Sequence, residues 1–237
     1  MTTRVDGARI LIAGATGGLG APLTRLLAER GARLTLVSRS ADRLKALAGE
    51  IRPTPATQAL DLTDEGAPAL AVRVAVDAHG GLDGVVFAAG VVAFGPVAEL
   101  QDSTLETLLR TNVVAPVQLL RSAYPFLLES AGSGRSPFLV NLSAVVAEQP
   151  MAGMAAYSAS KAARTAFDAA AARELRRARI RLLDVRPPHA ETGLATRPIA
   201  GVTPTLAPGR QPGEVVARIL RAIESDERDL ASSAFEE

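Results

Sequence analysis

Tyr157 and Lys161 stand four residues apart in Tyr157-Ser158-Ala159-Ser160-Lys161, which opens an alanine-rich run to about Arg177 free of glycine and proline. That composition predicts a helix, and a spacing of four puts the phenol and the ammonium on one face of it. A tyrosine ordinarily ionises near about 10, too high for efficient proton exchange at neutral pH. A fixed cation nearby stabilises the phenolate and lowers that value. The pair therefore suits general acid/base chemistry; the plainer reading is a surface tyrosine beside a solvated lysine. Lys161 is one of only two lysines, with Lys45, in a chain that otherwise draws its positive charge from arginine.

A second group of residues suits phosphate. Gly14-Ala15-Thr16-Gly17-Gly18-Leu19-Gly20 follows an apolar run at residues 8–13 and precedes a helical pattern that Gly31 ends. Glycines at a strand-to-helix turn let the backbone approach a pyrophosphate, which the helix N-terminus attracts. Any tight turn of this kind can be glycine-rich, so the cluster gains meaning from its place after a first strand.

These groups must be held by a framework, and the rest of the chain describes one. Short β-branched runs at 34–37, 58–60, 84–88, 138–142 and 180–185 alternate with helical stretches at 41–48, 67–78, 103–129, 157–177 and 213–224. Pro116 and Pro125 are expected to kink or divide the third of these helices, and residues 230–235 to add an edge strand. Apolar strands alternating with helices predict an α/β fold: a doubly wound parallel sheet of six or seven strands in a single domain spanning residues 1–237. Ligands in such sheets bind at the carboxyl ends of the strands, where every motif named here falls. Residues 187–212, rich in Pro, Gly and Thr, form a long loop that reads as a substrate cover.

Composition removes several function classes. Net charge is +1 with both signs interspersed, so no nucleic-acid footprint or anionic-membrane patch is expected. The absence of cysteine excludes disulfides and thiolate metal sites, and His79 and His189 lack ligand spacing, so no metal site is expected. No signal peptide or membrane-spanning run is visible, which makes a cytoplasmic protein the default expectation.

The first-turn glycine spacing, the Tyr-x-x-x-Lys in the helix after the fifth strand, and the chain length together resemble the short-chain dehydrogenase/reductase family. The resemblance covers nearly the whole chain. It implies a Rossmann-type sheet, a nicotinamide cofactor and interconversion of carbonyl and alcohol by hydride transfer. On this reading Tyr157 is the general acid/base, and Lys161 binds the nicotinamide ribose and lowers the phenol's pKa. Asn112 holds a water that links the lysine to solvent, though a polar residue satisfied within its helix is the plainer account. The cofactor contacts implied are Gly14, Thr16, Gly18, Leu19 and Gly20 in the turn, Asp61 and Leu62 at the adenine, and Ala89 and Gly90 after the fourth strand. Pro187 and Thr192 complete them at the carboxamide and diphosphate. Asp61 could equally form a turn or cap a helix. Family members associate as a homodimer or homotetramer through the helices at 103–129 and 157–177.

Cofactor choice is read at the end of the second strand, where an acidic residue would bind a free ribose and repel a 2′-phosphate. This chain has Ser38-Arg39 there, a hydroxyl and a guanidinium suited to phosphate. NADP(H) is therefore preferred, with NAD(H) possible; the alternative leaves Arg39 merely solvated.

The chain also departs from the family. Ala144 stands where a serine normally hydrogen-bonds the substrate carbonyl. Its neighbour Ser143 is the remaining hydroxyl, but adjacent strand residues face opposite ways, so only a local bulge would re-aim it. His189 is a candidate replacement donor or else a loop histidine in water, and His79 reads as a helix-capping residue. Phe87-Ala88 replaces two asparagines, and Pro188 replaces a glycine. Val92, Phe94, Val146, Gln149 and Met151, with the apolar residues of the 187–212 loop, suggest a mainly apolar pocket. The resulting expectation is an NADP(H)-dependent oxidoreductase acting on a small, moderately hydrophobic carbonyl/alcohol substrate. The alternative, favoured by Ala144, is a catalytically silent nucleotide-binding protein of the same fold. A sugar-nucleotide epimerase is disfavoured by the glycine spacing and the short C-terminal region.

Overall fold

Strands that are apolar on both faces need cover on both, and the chain supplies it. The structure, a computed structural model, describes residues 3–236. Its strands are Arg9–Ala13 (β1), Arg33–Ser38 (β2), Ala56–Ala59 (β3), Gly84–Phe87 (β4), Phe138–Leu142 (β5), Arg181–Val185 (β6) and Asp229–Leu230 (β7). They form one parallel sheet in the order β3-β2-β1-β4-β5-β6-β7. The helices are Gly20–Glu29 (α1), Ala41–Gly49 (α2), Ala67–His79 (α3), Asp102–Leu109 (α4), Ala115–Gly132 (α5), Ala155–Arg177 (α6) and Pro212–Glu224 (α7). None of them is long and apolar enough to cross a membrane.

Alternation along the strands divides the core. Ile10, Ile12, Val140 and Leu183 pack with Leu23 and Leu27 of α1 and Val216 and Ile219 of α7. Leu11, Val85, Leu139 and Leu182 face the other way, against Val72 of α3, Leu119 and Leu127 of α5 and Leu175 of α6. The strand order reverses between β1 and β4, which opens a crevice at their carboxyl ends.

Two expected elements take another form. The stretch at 103–129 is broken between α4 and α5 by a π-helical turn at Arg110–Val114. Pro116 lacks the N–H that would have reached the Asn112 carbonyl four residues back. The backbone widens instead, and the Ala115 N–H donates to the Arg110 carbonyl. Pro125, by contrast, sits inside α5 without ending it, because the carbonyl it leaves unpaired belongs to the exposed Arg121 and can be hydrated. The expected edge strand at 230–235 shrinks to Asp229–Leu230, and Ser232–Phe235 coils into a 3-10 turn. The Glu148 carboxylate accepts from the Ser232 N–H there, and Phe235 is tucked into the core. His79, read as a cap, also places its ring against the β2 carbonyl of Leu34 at 3.1 Å.

Residues 187–212 hold no strand or helix until α7 begins, beyond a single bridge between Ala190 and Arg210. They are nonetheless pinned. The Ile199 N–H donates to the Val92 carbonyl at 2.9 Å, and the Phe94 N–H to the Ala200 carbonyl at 3.0 Å.

At the opposite end of the sheet, Asp83 joins β1, β4 and α5. Its carboxylate accepts from the Arg9 N–H, Nε and Nη2 at 3.0, 2.8 and 2.7 Å, and from Ser130 Oγ at 2.7 Å. Burial pushes this carboxyl up, but the Arg9 and Ser130 hydrogen bonds outweigh it and hold the group below its ordinary value. A depressed carboxyl contributes stability that is complete above the unfolded value near about 3.9 and is lost as pH falls through the folded one. Asp83→Ala leaves Arg9 partly buried and unpaired, and is expected to cost about 3–5 kcal/mol in urea denaturation at neutral pH, with a smaller difference in acid.

Candidate active site

The buried row of α6 runs Tyr157, Lys161, Arg164 and Asp168, at intervals that keep one helix face toward the sheet. A core-facing stripe would ordinarily be leucine. Here all four are buried, Asp168 completely. The Lys161 ammonium donates to the Leu142 carbonyl at the end of β5 at 3.1 Å and lies 5.8 Å from the centroid of the Tyr157 ring. Burial lowers the Lys161 pKa to about 8, helped by the charge of Arg164 and opposed by Asp184. Burial also drives the Tyr157 phenol above its ordinary value. The lowering of the phenol expected from Lys161 is not seen in the chain by itself, where desolvation disfavours the phenolate.

Asn112 stands in the π-helical turn and clamps two segments together. Its Oδ1 accepts from the Val91 N–H at 3.0 Å, while Nδ2 donates to the Val91 carbonyl and to Ser160 Oγ, both at 3.0 Å. Its main-chain carbonyl, deprived of a helical donor by Pro116, faces Arg164 Nη1 at 3.4 Å. These contacts clamp the segment after β4 to α6.

Ser143 turns toward α6, as strand alternation dictates. Its hydroxyl donates to the Lys161 carbonyl at 3.2 Å and accepts from Thr165 Oγ1 at 3.1 Å. No bulge re-aims it, so the hydroxyl expected to serve the substrate is committed to helix packing. Ala144 packs instead against the apolar group of Val92, Phe94, Val146, Met154 and Tyr157. Of the other substrate candidates, Phe94 lies within this group, whereas Gln149 and Met151 are exposed at its rim. The half-exposed His189 ring sits 3.7 Å from the Glu191 carboxylate.

The glycine turn lies next to this pair. Gly14 has φ +82°, and a Cβ there would meet the backbone of Ala88 and Ala89 at 2.5–2.8 Å. A Cβ on Gly90 would lie 3.3 Å from Asn112 Oδ1 and 3.5 Å from Lys161 Nζ. Glycine at 14 and 90 therefore lets the turn, the end of β4 and the Tyr157–Lys161 pair share one crevice. Gly20 packs on the Gly14 carbonyl, and Thr192 crosses directly over Gly18. The Pro187 carbonyl accepts from the Val145 N–H at 2.9 Å, tying the loop to the end of β5.

At the end of β2, Ser38 Oγ is buried without a hydrogen-bond partner, an orphan that a ribose or phosphate oxygen would satisfy. The exposed Arg39 follows it. Asp61 accepts from the Thr63 N–H and hydroxyl at 2.9 and 2.7 Å, which is the turn-forming alternative; burial raises its pKa, and Thr63 and Arg39 more than reverse the effect. The Leu62 side chain packs into the α3-side core, and Leu19 against the α1-side core. Arg43, in the first turn of α2, donates to the Thr16 carbonyl and brings a second guanidinium to this corner.

A sequence model of the short chain dehydrogenases matches residues 8–200. The chain belongs to that family. Among curated relatives, dehydrogenase/reductase SDR family member 7B of Bos taurus is 27% identical over 97% of this chain and 74% of its own length. A 2,5-dichloro-2,5-cyclohexadiene-1,4-diol dehydrogenase of Sphingobium indicum is 32% identical over 73% of this chain and 69% of its own. The fold matches a 3-ketoacyl-(acyl-carrier-protein) reductase of Brucella melitensis, solved with NADH, with TM-score 0.87 and 22% identity over 96% of this chain and 97% of that one. This short-chain dehydrogenase is therefore a member of an oxidoreductase family with a Rossmann-type sheet.

Three residues of the site escaped the sequence reading. Arg43 carried no signal beyond following the end of β2. Arg164 and Asp168 did carry one, since 157, 161, 164 and 168 repeat at helical intervals and so share the face of Tyr157. Because Ala144 packs on the apolar group that holds Tyr157 while Ser143 is bonded to Lys161 and Thr165 of α6, Ala144→Ser is expected to raise kcat/KM toward simple ketones by about tenfold or more. Ser143→Ala should leave it within a few-fold; the two variants are compared in steady-state kinetics, and a reversed ranking would put the substrate on the other hydroxyl.

Proposed function

We propose that this short-chain dehydrogenase is an NADP(H)-dependent oxidoreductase that interconverts a carbonyl and an alcohol on a small, moderately hydrophobic substrate. The observation that carries the reading is the crowding at Gly90. The buried Lys161 ammonium and Asn112 converge on the strand end that also abuts the glycine turn, and the buried Tyr157 ring lies 5.8 Å from that ammonium on the same face of α6. A dinucleotide stretched along that turn would end beside the one buried tyrosine–lysine pair of α6.

The residues present fit such a cofactor. The backbone of residues 14–20 at the start of α1 would face the diphosphate, and Gly90 would leave room beside the ribose. Ser38, Arg39 and Arg43 would hold a 2′-phosphate, the first through its orphaned hydroxyl. When bound, the nicotinamide supplies or accepts the hydride. Tyr157 donates a proton to the nascent alkoxide in the reductive direction and takes it back in the other. Lys161 stabilises the phenolate left behind, and Asn112, through Val91 and Ser160, keeps the 90–92 segment in register with α6. The apolar wall of Val92, Phe94, Val146 and Met154 excludes water and favours an apolar substrate. Two copies of the chain are proposed to associate through α5 and α6, as the family resemblance implies.

Two outcomes test this reading. Tyr157→Phe should reduce NADPH-dependent turnover of a carbonyl panel by about 10²-fold or more while leaving the NADPH dissociation constant within about twofold; full activity would remove the phenol from the chemistry. NADPH should bind more tightly than NADH in a fluorescence titration, and Ser38→Asp should weaken NADPH by at least about tenfold through like-charge repulsion. Equal affinities for both cofactors in the unaltered chain would refute the preference.

A further inference from the structure

The core face of α6 holds one more cation than the proposed chemistry uses. Arg164 is 2% exposed and lies one turn beyond Lys161. Its Nε bonds both oxygens of Asp168 at 3.1 Å, and Asn141 Nδ2 donates to the same carboxylate at 2.8 Å. Nη1 faces the Asn112 carbonyl, Nη2 is buried without a partner, and the guanidinium lies 5.4 Å over the Phe87 ring. Phe87, which sequence reading marked only as a replaced asparagine, thus forms the floor under this guanidinium.

Burying an arginine is costly, and this one keeps an unpaired N–H while its carboxylate is itself completely buried. Packing alone would be served better by a leucine. An arginine, however, stays charged at every physiological pH. Placed three residues after a lysine on one buried face, it makes a second positive charge there unfavourable. The other charged groups facing Lys161 are few. α6 contributes Tyr157 and Asp168, and β6 contributes Asp184, which Arg186 binds in turn. β5 offers the neutral Asn141 and the Leu142 carbonyl, and the π-helical turn offers Asn112.

We propose that Arg164, oriented by Asp168 and gripping the Asn112 carbonyl, is a positioning residue that sets the charge state of Lys161. Its effect on catalysis rests on the oxidoreductase reading; its effect on the lysine does not. By weakening the hold of Lys161 on its proton, Arg164 lets the ammonium exchange that proton near neutral pH, which an ordinary lysine would not do. The lowered value of Lys161 agrees with this, Arg164 being the largest contribution after burial.

The chain offers a clean probe, because its only lysines are Lys161 and Lys45, the latter exposed on α2. Labelling lysine with ¹³C at Cε gives two signals whose midpoints can be followed by NMR with no substrate present. In the unaltered chain the Lys161 signal is expected to titrate near about 8. Arg164→Leu should raise that midpoint by about one unit, and Asp168→Asn, which leaves the guanidinium unbalanced, should lower it. Where Arg164→Leu does not fold, Arg164→Leu/Asp168→Leu removes both charges and should shift Lys161 upward as well. With turnover measurable, the basic limb of the kcat/KM profile should follow the NMR midpoint in each variant. A Lys161 midpoint near the ordinary lysine value of about 10.4 in the unaltered chain, or one that neither substitution moves, would overturn the inference. Absence of turnover with every carbonyl would count against the oxidoreductase reading alone, since the lysine titration needs none.

Discussion

A row of charge buried between α6 and the sheet is the constraint from which the rest of the site follows. Lys161, Arg164 and Asp168 occupy positions that would normally be apolar, and removing such groups from water is tolerated only where each meets a partner. The partners come from the strands. Asn141 and Asp184 sit directly opposite each other in the β5–β6 register, both on the α6 side, and the Leu142 carbonyl ends β5 beneath the ammonium. A slip of one residue in that pairing would turn Asn141 away and present Val140 or Leu142 to the charges. The register of two central strands and the chemistry of one helix are therefore one specification.

The second constraint comes from the backbone of the α4–α5 region. Pro116 cannot complete the helical ladder, so the carbonyl of Asn112 is released toward α6 and Arg164 takes it up. The same turn aims the Asn112 side chain at Val91 and Ser160. One missing N–H thereby couples the helix before β5, the loop after β4 and the helix after β5. Gly90 completes the join, since a side chain there would crowd both Asn112 and Lys161.

The loop at 187–212 closes the crevice from the third side. Backbone hydrogen bonds to Val92 and Phe94 hold the loop's path, and Leu194, Ala195 and Ala200 pack against the same apolar group. Thr192 lies against Gly18, where only a glycine permits so close an approach. The apolar group around Tyr157 and Ala144 thus meets the glycine turn across a single short span of chain.

The sequence by itself determined the framework and the spacing of the tyrosine–lysine pair. Apolar periodicity located the strands from β1 to β6, the glycine turn marked the crevice, and a four-residue interval put Tyr157 beside Lys161, because these signals are local and repeat with the period of the element. What only the tertiary structure decided were quantities that depend on neighbours far away in the chain. The 230–235 stretch looked extended, but Phe235 had a core to enter and Ser232 had the Glu148 carboxylate to bind. Ser143 and Ala144 could be ranked only once the direction of β5 relative to α6 was known. The phenol's environment was read from charge alone, whereas its burial, a sum over every surrounding segment, pushes it above its ordinary value. Arg164 and Asp168 were visible as letters on the right helical face. That they would be sealed from water, and so act on Lys161 across a medium of low polarity, depended on the strands that cover them.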